Sequence, residues 1–205
     1  NGGLWCPGAE QQAWQDLRSP VSSHYRLAVR RVSDGELVQN GTLAGDDRYQ
    51  LVLRERDAAR GDPLYARYLY AFVIDSSGRS TLLFPRPEIG AVENLLPVTS
   101  TPGEPLRDTP AEIALTGTRP FEVSEPYGLD TYFLLSADEP LPSLADLEWS
   151  GVRAARTAMK TGPLEELLAR TLAGVRSPNE TIRTPPNWSI DRVVFESTPP
   201  RRNGR

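Results

Sequence analysis

The sequence predicts a mainly β fold, an immunoglobulin-like β-sandwich with a small helical excursion near the C-terminus. Three observations predict it. Apolar and polar residues alternate at period two in several separate stretches, Gly, Pro and Asp turn signals fall between them, and beyond a short N-terminal segment helical spacing is confined to residues 142–175. The boundaries read as a linker with a short helix over 1–21, one sandwich domain over 22–198 carrying that excursion, and a disordered tail over 199–205.

Within residues 1–20, Ala9, Ala13, Trp14 and Leu17 fall at helical spacing between Gly/Pro-rich ends, which predicts a short amphipathic helix in a linker. From His24 the period becomes two. Tyr25, Leu27 and Val29 share one strand face, with Arg26, Ala28 and Arg30 on the other. Asp34 and Gly35 predict a turn, "ELVQNGTL" a return strand or irregular edge, and Tyr49, Leu51 and Leu53 a second half-buried strand. After a loop over 57–63, "YLYAFVI" places Tyr68, Tyr70, Phe72 and Ile74 on one face and Leu69, Ala71 and Val73 on the other. A strand apolar on both faces predicts a central position between two layers. "DSSGR" then forms a turn with Gly78 available for positive φ, and "STLLFP" returns until Pro85 stops the ladder.

Six prolines between residues 85 and 110 predict an extended surface crossing. "AEIALTG", "FEVSEPYG" and "LDTYFLLSA" read as three further strands. At Pro142 the grammar becomes helical, with a short helix capped by Ser143 and a firmer one over "TGPLEELLARTLAGV", where Leu164, Leu167, Leu168 and Leu172 form a stripe. Ile190, Val193 and Phe195 predict a last strand with an irregularity, and the C-terminus is basic.

Composition narrows the function classes. The chain has 205 residues and a formal net charge of −4, so no global basic field exists to hold nucleic acid or an anionic membrane surface. The expected partner set therefore contains no nucleic acid. No apolar run reaches the roughly twenty residues of a membrane-spanning helix. Of 23 basic residues Lys160 alone is lysine, a bias attributed to the source genome before any chemistry. One cysteine, Cys6, precludes an internal disulfide framework or a Cys-rich zinc site and leaves the compartment open between cytoplasmic, exported and periplasmic. The chain begins at Asn1 with no methionine before Met159, the expectation being a processed piece of something longer.

Catalytic constellations are poorly supplied. Cys6 lies in a linker and the single histidine, His24, at a strand start, so a thiol–imidazole pair is not expected. No GxSxG elbow and no GxxxxGK phosphate loop occur. Asp46, Asp47, Asp62 and Asp75 are loop acids of the kind that gather calcium at the end of a sandwich, but beside Gly, Ser and Pro they read first as turn formers. Glu165 and Glu166 suit the positive end of a helix dipole. No catalytic residue, metal ligand or cofactor site is assigned.

The segments "YLYAFVIDSSGRSTLLFPR" and "DTPAEIALTGTRPFEVSEPYGLDTYFLLSADEPLP" together resemble the bacterial domain of unknown function 4384. The matching positions are Tyr68, Tyr70, Asp75, Gly78, Leu83, Phe84, Pro85, Pro126 and Gly128, within residues 22–141. The rest, with "GPLEELLARTL" and "PPNWSIDRVVFES", looks like the C-terminal extension of bacterial caspase-like proteins carrying this domain. The resemblance implies a non-catalytic accessory module that binds, targets or regulates a neighbouring catalytic domain, caspase-like or other, in the same polypeptide or a protein partner. The alternatives are a cell-envelope ligand- or glycan-binding module and a small carboxylate-based hydrolase. The predicted partner surface is the crossing after Phe84 together with "SEPYG", presenting Arg86, Glu88, Glu125 and Tyr127.

Overall fold

A computed structural model describes residues 23–38, 41–57, 64–86, 93–97, 105–106, 110–115, 120–141, 144–148 and 188–200. The alternating stretches become strands in the predicted places: β1 Tyr25–Arg31, β4 Tyr49–Glu55, β5 Arg67–Ile74, β6 Ser80–Phe84, β9 Leu129–Ala137 and β10 Ser189–Thr198. Shorter strands are β2 Leu37–Val38, β3 Thr42–Ala44, β7 Leu95–Leu96 and β8 Glu112–Ala114. They form two sheets. One has the order β2-β1-β4-β8, and the other β3-β10-β9-β5-β6 with β7 on the β5 edge. The mainly β sandwich stands; its immunoglobulin-like detail does not follow from this order, because β3 pairs with β10 in parallel whereas immunoglobulin sheets are antiparallel.

The core lies where period two puts it. Tyr25, Leu27 and Val29 of β1 and Tyr49, Leu51 and Leu53 of β4 meet Leu69, Ala71, Tyr132, Leu134 and Phe195 of the second sheet. The opposite face of β5 is buried as well. Tyr70, Phe72 and Ile74 pack with Phe133, Leu135 and Trp188 under Leu147. The cover includes a single 3-10 turn, Leu144–Leu147, held by the Ser80 hydroxyl donating to Leu147 O at 2.7 Å and by Leu141 N donating to Tyr70 Oη at 2.8 Å. This second layer explains why the strand is apolar on both sides: β5 sits between β9 and β6 with a core above and below.

One expectation changes. "FEVSEPYG" is not a strand. Phe121 makes one isolated bridge to Tyr49, Val123 is buried, and the rest is an irregular loop ending in Gly128, whose φ is 151°. The Pro-rich crossing, expected to be extended and without a long helix or central strand, contributes only the two-residue β7, paired with Arg67 and Tyr68 of β5. A two-residue ladder before Pro97 asks nothing of the proline nitrogen. Turns at Gly35 (φ 71°) and Gly78 (φ 81°) are as expected. The helix over "TGPLEELLARTLAGV", the N-terminal linker helix and the residues after Pro200 lie outside the described residues.

Candidate functional site

The described residues of the predicted partner surface, Arg86, Glu125 and Tyr127, do not converge. Phe84 pairs with Ala71, which pairs with Leu134, so Arg86 lies beyond the level of Leu134 on β9. Gly128 precedes the other end of β9. Six residues at about 3.4 Å each separate the two levels by roughly 20 Å. Glu125 and Tyr127 are therefore at one end of the sheet and Arg86 at the other, and Glu88 lies outside the described residues. The sequence places 86 and 127 on adjoining loops; the hairpin and the direction of β9 put those loops apart.

The Tyr127 end is organised around backbone hydrogen bonds. The Ser76 hydroxyl is 3.1 Å from Pro126 O and 3.3 Å from Tyr127 O. Gly128 N donates to Ser197 O at 3.1 Å, and Ser197 N donates to Gly128 O at 2.7 Å. Beneath lies Asp130, 6% exposed, accepting from Ser76 N at 3.1 Å. Burial is the main reason its carboxyl is pushed up to about 6; hydrogen bonds from Ser197 and Ser76 oppose that rise, and nearby Asp75 adds to it. Asp130 is the one buried acid among the described residues, and it faces a hydrogen-bonded loop base.

The other sequence candidates take structural roles. Asp75 Oδ1 accepts from Ser77 N at 2.9 Å and Arg79 N at 3.0 Å, closing its own turn. Among the described residues no group of three His, Cys, Asp or Glu side chains is placed to hold a metal; Asp62 and Cys6 lie outside them. His24 Nε2 lies 3.2 Å from Glu55 Oε1 across β1 and β4. No helix of the described residues is long and apolar enough to cross a membrane.

A cationic groove between the two sheets' β1 and β10 carries no signal that the sequence reading singled out. It has a volume of about 210 Å³ and runs between β1 and β10, with Arg26, Arg54, Arg56 and Asp191 among its lining residues. Register builds it. Arg26 is directly opposite Arg54 in the β1–β4 pairing, and like charges facing each other across a ladder are unfavourable. Glu112 is opposite Arg54 on its other side, yet its carboxylate is taken by Arg30 Nη2 at 2.5 Å. Among the described residues neither Arg26 nor Arg54 has an ion-pair partner; Arg26 is exposed and Arg54 half-buried.

The one carboxylate in the groove is fully engaged. Asp191 Oδ1 accepts from Arg56 Nη2 at 2.6 Å, and Asp191 Oδ2 accepts from Leu27 N at 3.3 Å. The Leu27 amide points away from β4, on the stretch of β1 ahead of its pairing with β2 at Val29 and Arg30, and Asp191 answers that donor. The arrangement binds an acid between a guanidinium and a backbone amide of β1 and leaves Arg26 and Arg54 beside it, with Arg192 also on the lining. The sequence signal was present in "YRLAVRR" and "LVLRER", but Arg26 and Arg54 read as ordinary solvent-face residues until register set them opposite each other. Compared with protein-family models, curated proteins and solved structures, the chain matches none of them.

Proposed function

We propose that this chain is a non-catalytic accessory module that binds, targets or restrains a neighbouring enzymatic domain, caspase-like in the context its resemblance suggests, through the groove between β1 and β10. The observation that carries the reading is the excess of arginine in the groove: Arg26, Arg54, Arg56 and Arg192 against the single carboxylate of Asp191, on a chain whose formal net charge is −4. A local cationic site on an acidic protein favours selective recognition over general adhesion to polyanions. Arginine suits that role because its planar fork binds carboxylates through paired hydrogen bonds.

The alternatives find less support. Exposed large apolar residues among those described are Val32, Tyr65, Leu129 and Val194, on separate elements and with one aromatic ring between them, which is no platform for a sugar. A carboxylate hydrolase needs two acids around a cleft, and Asp130 is buried in a loop base. The test joins the chain to a caspase-like domain of the kind its resemblance suggests, placed upstream, and compares Arg26→Gln with Arg54→Gln, as a pair, against Arg86→Ala with Tyr127→Ala. The groove pair should weaken domain binding or alter regulated activity at an unchanged melting temperature. If binding and activity survive the groove pair, the proposal fails, and loss only in the second pair would return the function to the crossing.

A further inference from the structure

We propose that the groove is a receptor for the carboxylate side chains of an acidic, extended polypeptide segment. This deepens the binding-module reading and rests on it. Three observations converge on that ligand. First, a carboxylate already sits in the groove, and its partners are a guanidinium nitrogen at 2.6 Å and a backbone amide of β1 at 3.3 Å. Asp191 shows which chemistry the site accepts: an oxygen pair on a short stem, reaching a cation and a backbone donor together.

Second, the remaining positive charge is arranged for another such group. Arg26 and Arg54 stand on neighbouring strands in direct register, so a carboxylate placed between them meets both and removes their mutual repulsion. Glu112 is nearest in register but is held by Arg30. The half-buried Arg54 and Arg56 are partly shielded from water, which makes an ionic contact there stronger than one on an open surface.

Third, size and shape select the class of ligand. About 210 Å³ is below the range of roughly 300–1,000 Å³ in which drug-sized molecules are enclosed, but it admits a side chain. The groove lies between β1 and β10, and it is floored by the stretch of β1 ahead of Val29, where β2 begins to pair, so it is an open cleft rather than a closed pocket. A chain running along that stretch presents alternate side chains to it, two residues apart. Acidic residues at alternate positions therefore meet the Arg26–Arg54 pair and the Arg56–Asp191 position in turn. A long nucleic acid fits less well, since the net charge of the whole chain opposes a polyanion beyond the groove.

The experiment uses the 205-residue chain and a fluorescein-labelled peptide with Glu at alternate positions, followed by anisotropy at low salt. Arg26→Gln with Arg54→Gln should weaken binding about tenfold, and Arg26→Lys with Arg54→Lys should restore part of that loss. Arg48→Gln serves as control, because Arg48 lies at the opposite end of β4 and is paired with Glu122 at 2.8 Å. Asp191→Asn should tighten binding several-fold by removing the resident carboxylate, an effect that loss of structure does not mimic. Each variant is measured below its own melting transition.

The inference is overturned by no binding of the peptide, by equal loss in Arg48→Gln, by unchanged or weaker binding in Asp191→Asn, or by tighter binding of a single-stranded oligonucleotide of equal charge. Its failure is separable from that of the module reading. An upstream domain that binds through Arg26 and Arg54 while the acidic peptide does not leaves the module and removes the ligand class. A peptide that binds while the upstream domain does not leaves the ligand class and removes the accessory role.

Discussion

Replacing Asp130 by asparagine should stabilise the protein at neutral pH and leave it nearly unchanged in acid. Asp130 is 6% exposed, and its carboxyl is raised to about 6, chiefly by burial. An aspartate in an unfolded chain titrates near 3.9, and each unit of difference corresponds to about 1.4 kcal/mol. Between those two values the folded state holds the proton more tightly than the unfolded state. The favourable contribution is complete below about pH 4 and is lost as pH rises through about 6. The ceiling is about 3 kcal/mol, and relaxation around a charged carboxylate lowers it, so about 1–3 kcal/mol is expected at pH 7. Asparagine keeps an acceptor for Ser76 N and cannot ionise. Urea unfolding of both proteins from about pH 4 to 8 measures the difference, in which other carboxylates cancel. The variant should lead above about pH 6 and the gap should close near pH 4. A gap independent of pH, or a variant weaker at pH 7, refutes the assignment of a buried, reluctantly ionised acid.

Three further outcomes are expected. Phe72→Ala should lose about 3–5 kcal/mol in a chemical melt, because the ring is fully buried and stacked on Phe133 at 5.0 Å; a loss below about 1 kcal/mol would place the ring outside the core. Gly128→Ala should lose about 2 kcal/mol or more, since its φ is 151° and an added Cβ would lie 2.8 Å from Ser76 Cβ, whereas Gly35→Ala, with φ 71° and open space around it, should lose about 1 kcal/mol. Equal losses at the two glycines would mean that the approach of Ser76 does not matter. Peptide, ester and glycoside substrates should show only background turnover with the isolated chain; activity abolished by His24→Ala would contradict the structural role given to the His24–Glu55 pair.

The strands were legible because each is written in its own residues. Tyr25, Leu27 and Val29 alternate with polar or small neighbours, and β1 forms there; Tyr68 to Ile74 is apolar at every position, and β5 is covered on both faces. Gly35 and Gly78 marked turns because only glycine enters positive φ freely. The short helix expected after Ser143 is a 3-10 turn that places Leu144 and Leu147 on the sheet, while the Leu164–Leu172 stripe lies outside the described residues.

Pairing is a different kind of information. Nothing local in Thr42–Ala44 says that its partner is Glu196–Thr198, running parallel to it. Nothing in "FEVSEPYG" says that its apolar residues fill gaps beside Tyr49 without joining a ladder. The same limit governs the site. Arg86 and Tyr127 sit on loops that flank one Pro-rich region in sequence, yet the antiparallel course of β5, β6 and β9 sends those loops to opposite ends. Arg26, Arg54 and Asp191 are far apart along the chain and meet in one groove. Period two decides which face a side chain takes, so the sequence by itself determined the faces. Which side chains share a face across strands depends on register and sheet order, contacts between distant segments, and those only the tertiary structure decided.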